Sequence, residues 1–360
     1  MIDNATLSTD AARPDGRRAL TPTVMRVARV GVIALSAALL PAAAAGFGAR
    51  GHEVIGAIAD RLLSPQATRH RDQLVGMTLQ AAATWADCVR NVEPDAAGWR
   101  YRVEPGQRLA CERFETPSGL PRMIDYVQRN WRGCAARATA CHRTYHYTDV
   151  AIQNDRYDRR FHGTRDDDVV GAIRAAIAVL QGRPAPAPFS IRDEAEAVLL
   201  LAHFVGDVHQ PLHVGAIYLD ADGRPVDPDD AAGNPAAFSD TRGGNSIDVG
   251  PTDLHAEWDR VAAPMSVSIG VPMLAAARAV ESSPGSPGSW PVIWASETVR
   301  VARRAYAGID FIPEETGHDR RWHARFADRA AYRHDREQIQ SEQLARAGAR
   351  LAQLLNAIWR

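Results

Sequence analysis

Val198-Leu-Leu-Leu-Ala-His203-Phe-Val-Gly-Asp207-Val-His209-Gln-Pro-Leu-His213 is the stretch on which the reading of this chain turns. It is apolar nearly all round, which predicts a buried helix from Asp193 to about Val208, opened by a Ser190-x-x-Asp193 capping sequence and ended by Pro211. A buried ionised group without a partner costs several kcal/mol, so the His and Asp in this helix need company. His203 and Asp207 are four residues apart and share one face, one turn apart. A hydrogen-bonded core pair would account for those two alone. His213 lies beyond Pro211, where the turning chain can present a further ligand. His209 sits about 240° around the helix from His203 and reads as structural or solvent-facing.

The same device recurs at Leu254-His255-Ala-Glu-Trp258-Asp259, where His255 and Asp259 again have i, i+4 spacing and Trp258 can seat the helix against the core. Imidazole with carboxylate is the ligand set zinc takes when no thiolate is offered. Three earlier elements add to it: Trp85-Ala86-Asp87 with Arg90, Tyr145-His146-Tyr147-Thr148-Asp149, and Phe47-Gly48-Ala49-Arg50-Gly51-His52. Singly these read as a helix carboxylate, a strand-edge His and a loop His. Together, His52, His146, His203, His213 and His255 with Asp87, Asp207 and Asp259 exceed what one four-coordinate ion takes.

Outward from these motifs, His52 to Leu63 and Asp168 to Leu180 carry apolar residues at helical spacing. Leu344, Ala347, Leu351, Leu354, Leu355 and Ile358 form an amphipathic stripe. Period-two strand patterns are scarce, and 103–120, 220–242 and 282–289 read as loops. With no repeat and no charge shift to mark a boundary, the expectation is an all-α fold, a single mostly helical domain over residues 47–360. The 46% hydrophobic and 24% charged composition is that of a globular protein.

All 42 basic residues are Arg, and the formal net charge is −1. That balance argues against a basic tail or domain binding nucleic acid by bulk charge. Met25-Arg-Val-Ala-Arg29, the apolar run Val30–Leu40 and the small residues 42–46 have the layout of a secretory signal peptide with cleavage before Phe47. Residues 1–46 are thus expected to be an extension plus leader, with Met25 the start. The run is too short for a comfortable membrane span, and a secreted or periplasmic location follows. In that compartment Cys88, Cys111, Cys134 and Cys141 predict two disulfides. Three pairings are possible, and Cys88–Cys111 with Cys134–Cys141 is the economical one.

The ordered set His203-x-x-x-Asp207-x-x-Gln210-Pro211-Leu212-His213, Gly243-Gly244-Asn245 and Leu254-His255-x-x-Trp258-Asp259 resembles the S-one/P-one type nucleases. These are zinc-dependent single-strand-specific nucleases and 3′-nucleotidases, and the likeness runs from Phe47 to the C-terminus. It implies a mainly helical fold with three Zn2+ ions at the bottom of a cleft. By resemblance, Asp87, His146, His203 and Asp207 hold one ion. The main chain of Phe47 as first mature residue, with His52 and Asp207, holds a second. His213, His255 and Asp259 hold the third. The family usually has Trp where Phe47 stands, but the contacts there are main-chain. Arg90 falls at a phosphate-contacting position, and Tyr147 and Asp149 where the family stacks on and hydrogen-bonds a base.

The implied chemistry is in-line attack on phosphorus by a metal-bridging hydroxide, with Asp87, Asp207 and Arg90 as the catalytic group. The substrates would be single-stranded DNA or RNA and 3′-nucleotides, with products ending in 5′-phosphate. No stable protein partner is implied. Two other readings share the ligand set: a phospholipase C-like lipid phosphodiesterase and a non-enzymatic zinc-stabilised protein. The Asp-rich insertion 220–241 would narrow the cleft or select substrates, and the sequence leaves its role open.

Overall fold

Apolar faces at helical spacing bury best as helices, and the computed structural model is mostly helical. It describes residues 47–134, 140–230, 234, 237–261, 269–314 and 321–360, all within the compact unit Pro41–Arg360. The leader and Met25 start expected in residues 1–46 lie outside the described residues.

Helices α1 (Gly48–Leu62), α2 (Pro65–Val75), α3 (Leu79–Ala82) and α4 (Trp85–Cys88) come first. Next are α5 (Arg108–Cys111), α6 (Gly119–Arg129), α7 (Val169–Leu180) and α8 (Glu194–Asp207). Then come α9 (Pro211–Val214), α10 (Leu254–Asp259), α11 (Val271–Arg278), α12 (Trp290–Ala305) and α13 (Arg329–Ile358). No helix of the described residues is long and apolar enough to cross a membrane.

The quoted stretch forms α8, and every residue after Glu194 is buried. Its cap is Asp193, whose carboxylate accepts from the Glu196 N–H at 2.8 Å. Ser190 does not open the helix, contrary to the capping sequence read above; its carbonyl accepts from Asn130 Nδ2 at 2.9 Å instead. Pro211 does more than end α8. It is the first residue of α9, where its missing N–H is not needed.

Helix α7 lies along α8, and α1 along the C-terminal α13. The second crossing is close enough that a Cβ on Gly348 would fall 2.5 Å from Ile58 Cβ. Asp168, Asp253 and Asp328 cap α7, α10 and α13 with side-chain carboxylates.

Strands are present but short. β1 (Val92–Asp95) and β2 (Gly98–Tyr101) form a hairpin, and β3 (Val150–Ala151) pairs in parallel with β4 (Gly215–Ala216). β5 (Tyr218–Leu219) lies between β6 (Pro225–Val226) and β7 (Ser239–Asp240). β8 (Ile247–Asp248), β9 (Ile309–Glu314) and β10 (Arg321–Phe326) form a sheet with β10 in the middle. All three stretches read as loops therefore hold structure: helical turns and α5 within 103–120, β6 and β7 within 220–242, and a helical turn at Pro287–Ser289 within 282–289.

A second apolar cluster, around Leu254, Trp258 and Trp322, backs the β8–β10–β9 sheet. Trp258 seats α10 as expected: it is fully buried, its Nε1 donates to Tyr332 Oη at 2.8 Å, and its carbonyl accepts from Gln340 at 2.6 Å.

Candidate metal centre

His203 projects from α8 with its Nδ1 bonded to the Ala83 carbonyl at 2.7 Å. That bond fixes the ring with Nε2 pointing into the cluster. Nε2 faces His146 Nδ1 at 3.1 Å, Asp207 Oδ2 at 3.2 Å and Asp87 Oδ1 at 3.7 Å. His146 Nδ1 lies 3.0 Å from Asp207 Oδ2 and 4.0 Å from Asp87 Oδ1. Ligands about 2.0–2.1 Å from a tetrahedral zinc stand about 3.3 Å apart, so these four atoms have the spacing of one coordination shell. Burial disfavours charge on His203, but the Asp207 and Asp87 carboxylates outweigh it and raise its pKa to about 9. The same carboxylates favour any cation at that point.

Covalent staples hold two of these ligand segments. The disulfides are Cys88–Cys111 and Cys134–Cys141, the economical pairing. Cys88 directly follows Asp87, and Cys141 opens the helical turn that ends at His146.

Asp207 turns its other oxygen the other way: Oδ1 is 3.4 Å from His52 Nε2. The His52 ring stacks on His203 with centroids 3.7 Å apart. Gly206 permits this, since a Cβ there would lie 2.7 Å from His52 Nδ1. Neither His52 nitrogen has a hydrogen-bond partner, nor does Asp207 Oδ1. Phe47 is fully buried beside this group, and its carbonyl accepts from Gly51 N–H at 3.0 Å.

The third group is the clearest. His213 Nδ1 donates to the His146 carbonyl and His255 Nδ1 to the Gly243 carbonyl, both at 2.8 Å. Both Nε2 atoms are therefore lone pairs, and they face each other at 3.1 Å. Burial lowers the pKa to about 4 at His213 and about 3 at His255, so a proton between them is disfavoured at neutral pH. Asp259 Oδ2 lies 3.5 Å from His255 Nε2 and has no hydrogen-bond partner. Two facing acceptors and an orphaned carboxylate oxygen suit a cation. All three clusters, His52–His203–Asp207, Asp87–His146–His203 and His213–His255–Asp259, bring their ligand atoms within 4.8 Å of one another. The donor set of imidazoles and carboxylates, with backbone carbonyls fixing the tautomers, fits zinc.

Around the clusters, Arg90 Nη1 lies 3.3 Å from Asp87 Oδ1. It lines a cleft of about 400 Å3 with Arg100, Arg102 and Arg143, whose charges are matched by Asp95 and Glu93. Tyr147 is half-buried, with the Arg165 guanidinium 5.3 Å from its ring centroid. Asp149 is buried; desolvation and then Asp240 push its carboxyl well up, against Arg165 and Arg242. His209 is structural: it is buried, donates to the Val205 carbonyl at 2.7 Å and takes a bond from Arg350 at 3.1 Å. Within 220–241, Asp229 accepts from Asn154 Nδ2 and the His162 N–H.

Two participants carried no role in the sequence. Gln210, inside the quoted motif, donates to Asp259 Oδ1 at 2.7 Å and accepts from Leu212 N–H. It thereby joins the segments carrying His213 and Asp259, and its place between Asp207 and His213 was the available signal. Arg165 had none, being far from Tyr147 along the chain.

Residues 47–360 match the family described as S1/P1 Nuclease. Endonuclease 1 of Arabidopsis thaliana is 32% identical over 124 residues, which is 32% of this chain. The matched part spans 33% of that relative's length.

Proposed function

Since the chain belongs to the S1/P1 nuclease family, we propose that it is a zinc-dependent phosphodiesterase that cuts single-stranded DNA or RNA and removes 3′-phosphates from nucleotides. The facing Nε2 atoms of His213 and His255 carry the metal part of this reading. In it, Asp87, His146, His203 and Asp207 hold one ion, and His213, His255 and Asp259 another. His52 and Asp207, with the main chain of Phe47, hold a third. Asp207 is suited to two ions because its oxygens face different imidazoles. The family match beginning at residue 47 supports Phe47 as the first mature residue, and the two disulfides support a secreted or periplasmic location.

When bound, zinc supplies positive charge at phosphorus and acidifies water into a nucleophile at neutral pH. Arg90 donates to a phosphoryl oxygen, its guanidinium already held beside Asp87. The Tyr147 ring stacks on a base whose faces are free, which favours unpaired strands. Asp149, in its protonated or charged form, offers hydrogen bonds to the base edge. Displacement in line releases the 3′ oxygen and leaves a 5′-phosphate.

The test combines metal analysis of the purified protein with end mapping on single-stranded DNA and RNA. Zinc in the protein, activity lost on chelation, and 5′-phosphate ends with inversion at phosphorus are the expected results. A fully metallated protein that leaves both strands intact would overturn the proposal.

A further inference from the structure

One face of α7 borders a groove of about 890 Å3 whose rim carries Arg159, Arg165, Arg174 and Arg183. Asp166 is the one acidic side chain lining it, and it pairs with Arg159. Arg165 has Asp167 at 3.4 Å. Arg174 and Arg183 are exposed and make no ion pair among the described residues; the neighbour of Arg183 is the neutral Gln181 amide at 2.6 Å. Pro184 and Pro186, both exposed, and the half-buried Ile293 give the groove apolar surface. It therefore combines unneutralised guanidinium charge with an apolar lining, in a chain whose formal net charge is −1.

Arg165 joins the groove to the segment that carries His146. That guanidinium lies over the Tyr147 ring, and Tyr147 directly follows the candidate ligand His146. The Tyr147 carbonyl also accepts from Val169 N–H, the first residue of α7, at 3.3 Å. Guanidinium groups along an apolar track match a single strand, whose phosphates pair with arginine while its base faces meet apolar surface. The cleft beside Arg90 differs, because Asp95 and Glu93 already match the added arginines there.

Resting on the nuclease reading above, we propose that the α7 groove is a strand-binding subsite. It holds the nucleotides of a single-stranded substrate that flank the cleaved linkage on the Tyr147 side. Arg174 and Arg183 contact phosphates there, and the apolar lining receives bases.

The test is an Arg174→Ala/Arg183→Ala double variant. An Arg61→Ala/Arg69→Ala variant serves as control, removing equal charge from exposed sites that do not line the groove. Fluorescence anisotropy with a labelled oligothymidylate of about twelve nucleotides, in the length range such grooves cover and carrying phosphorodithioate linkages that resist cleavage, reports binding without turnover. The groove variant should bind about tenfold more weakly at low salt, and its slope of log Kd against log salt should fall by about 1.4, since each neutralised phosphate contributes about 0.7. The control should match the wild type. Equal slopes for groove variant and wild type, or equal losses in both variants, would overturn the subsite. Hydrolysis adds a second readout: a raised KM on the oligomer with an unchanged rate on a dinucleotide supports it. A wild type that cuts neither substrate counts against the nuclease reading, and anisotropy still decides the groove.

Discussion

At the scale of single residues, tautomers do more than proximity to define the metal clusters. His203, His213 and His255 each spend Nδ1–H on a backbone carbonyl, so each aims Nε2 inward. Gln210 performs the matching task for a carboxylate, holding Asp259 Oδ1 so that Oδ2 faces His255. Gln210→Leu keeps the volume and removes the donor. It is expected to weaken metal binding at His213–His255–Asp259 by about 10- to 100-fold, as lost outer hydrogen bonds do. Zinc titration of the variant checks this; wild-type affinity at every site would show that Asp259 needs no orientation. Spacing alone paired His203 with Asp207 and His255 with Asp259, and both pairs are present in the fold. Gln210 went without a role because its partner is 49 residues away.

Helices decide which of these side chains can meet. His203 and Asp207 come from α8, His52 from α1 and Asp87 from α4, so the clusters depend on how closely those helices approach. The tightest point is Gly206 against the His52 ring. Gly206→Ala would gain slightly in helix propensity, but its Cβ must push that ring aside, at a cost of about 1–3 kcal/mol for an overpacked core. Denaturant unfolding should show the loss, and zinc content should fall with it. Unchanged stability and zinc content would mean the ring can move at no cost. Apolar residues at helical spacing made α1, α7 and α13 legible beforehand, and the nearly all-apolar run made α8 so. The short strands were not, because a two-residue strand such as β3 or β4 is too short to display a period.

Across the whole molecule, the clusters gather α1, α4, α8, α9, α10 and the turn ending at His146 around one buried region. A cation there links elements from His52 to Asp259, so its removal should be felt well beyond one segment. Chelation is expected to lower the melting temperature, and zinc restored at about 1,000 times its dissociation constant should return about 4 kcal/mol. Calorimetry with and without chelator measures it; an unchanged transition would mean that the facing imidazoles are satisfied in some other way.

Much of this protein was written in local spacing. Helical periodicity and the two His-x-x-x-Asp pairs depend on neighbours within a turn or two, and they can be read from the chain directly. The even cysteine count announced disulfides, but their pairing was one of three until the fold brought Cys88 to Cys111 and Cys134 to Cys141. Tertiary structure alone decided how closely the candidate ligand residues approach one another and which oxygen of Asp207 faces which imidazole. It alone set Arg165 over Tyr147 at the end of an arginine-lined groove. Those relations join residues from separate elements, and close packing fixes them through contacts that leave no periodic trace in sequence.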